Sequence, residues 1–216
     1  MTPTDPDTPS RVSILARLAP AFSYAIPMLG AVLSAILLMR VMEGMRNAES
    51  AGIAAVAAGI AEADLAIIIA LCLAIFVGFI GIVVIVIRAF MSTTTVAPSA
   101  WFFLITGGLS LIPLGLYWEA ESLLIQAISP GFSGGLVQVA ATIQSCLTLT
   151  LVTSAAFALI LLVVSLVPLP AVLRAKRSYA PVVIVVLMEL VLIGMAVAFQ
   201  VRTSWLQQIR DAGRIL

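Results

Sequence analysis

Residues 52–90 read GIAAVAAGIAEADLAIIIALCLAIFVGFIGIVVIVIRAF, and this stretch decides the class of fold. Between residues 65 and 87 no side chain carries a charge. About 20 consecutive apolar residues are enough for an α-helix to cross the hydrocarbon core of a bilayer. The stretch therefore predicts a transmembrane helix, and its many small residues favour close packing against other membrane helices.

The composition extends this conclusion to the whole chain. Hydrophobic residues make up 62% of it and charged residues 10%, which is far from the pattern of a soluble domain. The net charge is +1 and no basic cluster is interleaved with aromatic residues, so we expect no nucleic-acid partner. Histidine is absent, and no Walker loop, GxSxG or zinc motif is present, so we expect neither an enzyme nor a cofactor or metal site.

Five apolar stretches predict five spans, at residues 19–42, 58–90, 101–118, 137–167 and 180–201. We therefore expect an all-α polytopic integral membrane protein, with two related hairpins of transmembrane helices plus one further helix. The hairpins cover residues 19–90 and 101–167, and the fifth helix covers residues 180–201. A disordered polar segment, 1–18, precedes them, and a short amphipathic tail, 202–216, follows.

Two observations bear on how the hairpins are related and oriented. The segment AGIAAVAAGIAE (51–62) aligns without gaps with GGLVQVAATIQS (134–145), which indicates an internal repeat, although helices rich in small residues also resemble one another by composition. Lysine and arginine residues collect in cytoplasmic loops, and RAKR at 174–177 is the densest basic segment. RAKR lies between the fourth and fifth spans, on the same side of the membrane as the N-terminus, so its charge favours a cytoplasmic N-terminus.

The first hairpin carries two further motifs, IPMLGAVLSAI (26–36) and VAAGIAEADLAIIIALCLAI (56–75). It resembles the MotA/TolQ/ExbB proton channel family, in which a Pro-x-x-Gly-x-x-Gly-Thr helix is followed by a helix with a Gly-Ile-x-Glu-Ala signature. Pro27 and Gly30 match the first signature, and Gly59 and Glu62 match the second.

The resemblance implies a function and partners. It implies a subunit of a proton channel or motor-like complex in a bacterial inner membrane. Such a subunit forms a homo-oligomer around a single-span partner that bears a membrane aspartate. Ser34 stands where the family has a pore-facing threonine, which places Ser34 and Glu62 beside the ion path. At the second pore-facing threonine this chain has Ile67, which cannot form a hydrogen bond.

Acidic residues are the other candidates for an ion path. Glu62 and Asp64 are two positions apart, so on a helix they point about 200° away from each other and cannot share a face. They fit either a proton or cation site or a solvated pair at the membrane interface. In the second case Arg40 and Arg46, at the end of the preceding helix, are candidates to form ion pairs with these acids across the hairpin. Glu189 lies in the middle of the fifth span, where an acid costs about 2.5–3.5 kcal/mol. We expect it to face other helices.

Hydroxyl groups on the fourth span complete the candidates. Thr142, Ser145 and Thr148 lie in a polar stripe that suits either a wet path or hydrogen bonds to backbone carbonyls. Two other functions stay open beside the proton channel. One is a non-conducting scaffold or accessory subunit of a membrane complex, and the other is a small transporter that uses Glu189.

Overall fold

The computed structural model describes residues 11–47, 53–91, 97–98, 100–128, 136–166, 174–175 and 180–212 of the 216-residue chain. Five long α-helices account for almost all of them: α1 (Arg11–Asn47), α2 (Ile53–Met91), α3 (Ala100–Ile128), α4 (Leu136–Leu166) and α5 (Ala180–Ala212). Two short strands, β1 (Ala97–Pro98) and β2 (Arg174–Ala175), form an antiparallel pair.

All five helices are long and apolar enough to cross a bilayer. Inside hydrocarbon the backbone polar groups have no water to bond, and a helix satisfies them within one segment. Many large apolar side chains, such as Phe76 and Phe79, point outward from the bundle, as they do in a protein whose solvent is lipid. The predicted all-α integral membrane protein with five transmembrane helices is confirmed.

The helices pack as two hairpins with α5 added to the first. The most extensive packing joins α1 to α2, and α3 packs on α4 in the same way. Helix α5 lies against α2 and also meets α3, while α1 contacts both α3 and α4. The β1–β2 pair ties the connection after α2 to the connection after α4, so both connections lie at one end of the bundle. The RAKR segment begins in this pair.

Three helices, α1, α3 and α5, extend furthest beyond the spans that hydrophobicity predicts. Helix α1 begins at Arg11, inside the segment 1–18 for which disorder is expected, and residues 1–10 lie outside the described part of the chain. Helix α3 continues without a break to Ile128, and α5 continues to Ala212, so the expected tail is largely the last turns of α5. The added turns contain charged residues. A helix that packs against other helices can continue past the point where its sequence becomes too polar for lipid.

Close approach of α1 and α2 depends on small residues. A Cβ atom placed on Gly30 would overlap the Cβ atom of Ala70, so the glycine allows the two backbones to come together. One turn further along α1, the hydroxyl of Ser34 donates a 2.6 Å hydrogen bond to the carbonyl oxygen of Ala63. The family-motif residue Pro27 is buried on the same helix. This seam fixes the position of the part of α2 that carries Asp64.

We predict that Gly30→Ala destabilises the protein, whereas Gly115→Ala does not. Overpacking at Gly30 costs about 1–3 kcal/mol. Gly115 is exposed, and no described atom beyond its neighbourhood in α3 lies within 4 Å of an added Cβ, so alanine there is neutral or stabilises the helix. Thermal unfolding in detergent measures both variants. The exchange Gly30→Ala with Ala70→Gly restores stability, and equal melting temperatures for the two single variants would contradict the close approach.

Candidate functional site

The two acids at the start of the second span face opposite directions. Asp64 is fully buried, whereas Glu62 is exposed on the outer surface of α2. The predicted divergence of the two side chains on the helix is therefore confirmed. Asp64 points between α3 and α5, where its partners come from residues far along the chain.

Hydroxyl groups from two helices surround the Asp64 carboxyl group. The phenol of Tyr117 on α3 donates a 3.1 Å hydrogen bond to Asp64 Oδ1. Thr203 Oγ1 on α5 lies 3.4 Å from Asp64 Oδ2 and 2.9 Å from the carbonyl oxygen of Phe199. A threonine hydroxyl has one proton, so Thr203 donates to one of these oxygens at a time. If Thr203 donates to the carbonyl of Phe199, its hydroxyl oxygen can accept a hydrogen bond from a protonated Asp64 carboxyl group.

A second carboxyl group lies one helical turn beyond Tyr117. Glu121 is fully buried, and its Oε1 forms an ion pair with Arg202 Nε at 2.8 Å. Arg202 is itself held in place from α3, because Nη2 donates a 2.9 Å hydrogen bond to Ser122 Oγ. The guanidinium carbon also lies 4.1 Å from the centre of the Trp118 ring, which is a cation–π distance. These three contacts fix the orientation of the Arg202 guanidinium group.

The carboxyl groups of Asp64 and Glu121 are neighbours in this site, and apart from the ion pair with Arg202 neither Glu121 oxygen has a hydrogen-bond partner among the described residues. A hydrogen bond between the two acids needs a proton on one of them, since two ionised carboxylates are both acceptors. Two carboxylates and one arginine carry a net charge of −1, and a single shared proton makes the group neutral. We call Asp64, Tyr117, Glu121, Arg202 and Thr203 the acid-pair cluster. The cluster combines two buried acids with one arginine, and it is neutral when the acids hold one proton between them.

The acid-pair cluster lies towards one end of the bundle. Asp64 is in the first third of α2, whereas Glu121 and Arg202 are in the last third of their helices. A cleft of about 740 Å³ opens at this end between α1, α3 and α4. Leu124, one turn after Glu121, forms part of its wall, and Glu43, Arg46 and Gln144 add polar groups. The wall of the cleft therefore comes within about one helical turn of Glu121 along α3.

The structure does not bring Ser34 or Glu62 into this cluster. The Ser34 hydroxyl is buried and bonded to the backbone of α2, and Glu62 faces outward. Gly59 packs against Val41 of α1. Arg40 and Arg46 form no ion pair with Glu62 or Asp64 in the described part of the chain. Gly30 and Gly59 therefore lie where α1 and α2 pack together, beside the acids.

The hydroxyl stripe of α4 also lies away from the cluster. Ser145 donates to the carbonyl of Ala141 at 2.9 Å, and Thr148 donates to the carbonyl of Gln144 at 2.8 Å. Thr142 is exposed on the same helix. These bonds close within one helix, which is the usual arrangement of serine and threonine in membrane spans.

Four residues of the acid-pair cluster escape detection from the sequence alone: Tyr117, Glu121, Arg202 and Thr203. Tyr117 fits an interfacial aromatic belt, and residues 119–128 read as a separate amphipathic helix. The available signal is the spacing of Tyr117, Glu121 and Leu124, which follows one face of a helix that continues past Trp118. Nothing local in the sequence indicates that Arg202 is the partner of this face.

We predict that Arg202→Met destabilises the protein by about 3–5 kcal/mol, because the substitution leaves buried acids without their cation. Arg210→Met is the matched control, since Arg210 is partly exposed and pairs with its neighbour Asp211. Thermal unfolding in detergent measures the difference. Adding Asp64→Asn and Glu121→Gln to Arg202→Met recovers most of the loss by removing the stranded charges, and no difference between the two arginine variants would contradict this assignment.

No protein-family model, curated protein or solved structure matches this chain.

Proposed function

We propose that this chain is a proton-translocating membrane subunit of an ion-motive complex, and that the Asp64–Glu121 pair carries the proton. One observation supports this function above the others, which is the burial of two carboxyl groups beside a single arginine inside a bundle of membrane helices. Acids at such depth are costly and are typical of proton relays.

The chemistry of the pair suits reversible proton binding. With one proton the acid-pair cluster is neutral, and release of that proton leaves a charge of −1 beside the fixed Arg202 guanidinium. Arg202 limits the cost of the ionised state, because it is held by Glu121, Ser122 and Trp118 and does not need to reorganise. The Tyr117 and Thr203 hydroxyls touch Asp64 and give the proton a route along hydrogen bonds.

The cleft suggests a route by which protons reach the Asp64–Glu121 pair from one end of the bundle. The cleft beside Leu124 approaches Glu121 from the end where α1 and α3 finish and α2 and α4 begin. In the orientation favoured by RAKR, with a cytoplasmic N-terminus, this end faces away from the cytoplasm. The cleft would then be the external entrance, and the cytoplasmic exit would lie along α2 and α5.

The oligomer and the partner of this proposal come from the likeness of residues 26–36 and 56–75 to the MotA/TolQ/ExbB family. The outer face of α2 supports such contacts, because it carries the exposed acid Glu62 followed by Leu65 and Ile69. An acid at the edge of an apolar face favours a protein neighbour over lipid alone. We propose a homo-oligomer in a bacterial inner membrane that holds a single-span subunit with a membrane aspartate.

A non-conducting scaffold is the second candidate, and a specific observation favours it. The acid-pair cluster joins α2, α3 and α5, so the same contacts that bind a proton also fasten the two hairpins together. In a scaffold these acids have only that role.

The first functional prediction separates the two candidates by proton flux. The purified chain, with any partner that co-purifies, is reconstituted into liposomes that contain a pH-sensitive dye. We expect Asp64→Asn and Glu121→Gln each to lower the flux at least about tenfold, because the amide cannot release a proton. Glu119→Gln is the matched control, since Glu119 is an exposed acid on the same helix. A wild-type chain without flux would favour the scaffold, and a loss with Glu62→Gln alone would move the proton site to Glu62.

The second functional prediction concerns assembly. We expect several copies of the chain per particle, together with a single-span protein, when the complex is extracted into nanodiscs. Particle mass and identification of the components by mass spectrometry measure this. Charge reversal by Glu62→Lys on the outer face of α2 reduces the oligomer, whereas Glu119→Lys does not, and a monomer without a partner would contradict the motor-like assembly.

A further inference from the structure

A second buried acid lies at a separate place in the bundle, where three helices meet. Glu189 of α5 is 6% exposed and lies against Ser23 of α1 and Gly78 of α2. Its distance from Arg202 along α5 is about 20 Å, so it does not belong to the acid-pair cluster. The helix segments between the two sites are lined by apolar side chains such as Leu71, Leu192 and Phe199.

The room for Glu189 is made by a glycine. A Cβ atom added to Gly78 would coincide with the carboxyl group of Glu189 and would lie 2.8 Å from Ser23 Oγ. Any other residue at position 78 therefore displaces the acid from α2. The fit of an acid on one helix into the space of a missing side chain on another indicates a built site.

The hydrogen bonds at this site favour the neutral acid. Ser23 Oγ lies 2.9 Å from the carbonyl oxygen of Ala74 and 3.3 Å from Glu189 Oε1. The serine has one proton, so it donates to one of these two oxygens at a time, and the carbonyl oxygen is the nearer. When Ser23 Oγ donates to the carbonyl it can only accept from Glu189, and to donate that bond the carboxyl group must carry a proton.

The described side chains around Glu189 supply no cation for its ionised form. Among the described residues no lysine or arginine pairs with it, and its Oε2 has no hydrogen-bond partner. The titratable group that faces it is Tyr24 on α1, which is 1% exposed and whose hydroxyl also lacks a partner in the described part of the chain. Helix α2 contributes no charge between residues 65 and 87, and the other titratable groups of α3 and α5 belong to the acid-pair cluster or lie beyond it.

We propose that Glu189 is a second proton-binding site, a carboxylic acid held neutral near the middle of the bilayer by Ser23, Gly78 and Tyr24. The neutral acid donates to Ser23 Oγ, which in turn donates to the carbonyl of Ala74. Loss of the proton places an uncompensated charge where α1, α2 and α5 meet. This site stands on its own geometry, so it does not depend on proton transport through Asp64 and Glu121.

A hydrophobic carbodiimide tests the proposal on the full-length chain in nanodiscs, because this reagent adds to protonated carboxyl groups in apolar surroundings. We expect mass spectrometry to find the adduct on Glu189, and we expect its yield to fall at least about tenfold from mildly acidic to strongly alkaline buffer. The adduct is lost in Glu189→Gln and retained in Glu62→Gln. A Glu189 that remains unlabelled at every pH would overturn the proposal.

Infrared spectroscopy, thermal unfolding and ion protection test the same proposal. Glu189→Gln lowers the infrared absorption of protonated carboxylic acids by the contribution of one acid and leaves that of the acid-pair cluster, and this variant unfolds at the same temperature as the wild type, since the amide is neutral and of similar shape. Infrared absorption of protonated carboxylic acids that is unchanged in Glu189→Gln would overturn the proposal. Protection from the carbodiimide by sodium chloride, but not by choline chloride at the same pH, would also overturn it, because Glu189 would then be a sodium ligand.

Discussion

The fold depends on how a membrane bundle accommodates two buried acids and a partly buried arginine at a single contact. In lipid no hydrophobic force draws apolar helices together, so close packing and polar contacts decide which helices meet. Asp64, Glu121 and Arg202 come from three different helices, and the Glu121–Arg202 ion pair forms between α3 and α5 beside Asp64. A pair of ions of this kind adds little net stability, but it strongly penalises any arrangement that separates its members. It therefore specifies which faces of α2, α3 and α5 meet.

The small residues and the polar residues have different roles in this arrangement. Gly30 and Gly78 remove side chains where helices approach, and they leave space for Ala70 and for the Glu189 carboxyl group. Because the helices are close there, polar side chains form hydrogen bonds between them, as the Ser34 hydroxyl does to the Ala63 carbonyl oxygen. Both acid sites share one physical constraint, which is that a carboxyl group away from water must be neutralised by a cation or a proton. Arg202 serves the first site, and a proton on Glu189 serves the second.

The sequence identifies some residues of the two acid sites and misses others for a definite reason. Asp64 and Glu189 stand out because they interrupt or border an apolar span, where the cost of an acid makes it conspicuous. Glu121 lies in a stretch with other polar residues, so composition alone assigns it to the interface. Arg202 follows the last span and looks like an ordinary flanking cation. Their importance arises from a contact between residues about 80 positions apart, which no local pattern reports.

By itself the sequence determined the class of the protein, the number of spans and the divergence of Glu62 from Asp64. These properties follow from hydrophobic length and from the pitch of a helix, which are local quantities. Only the tertiary structure decided that Asp64 meets Glu121 and Arg202, that the Ser34 hydroxyl bonds to backbone, and that Glu189 occupies the space beside Gly78. The physical reason is that partners are chosen by the rotation and depth of whole helices, which depend on the packing of the complete bundle.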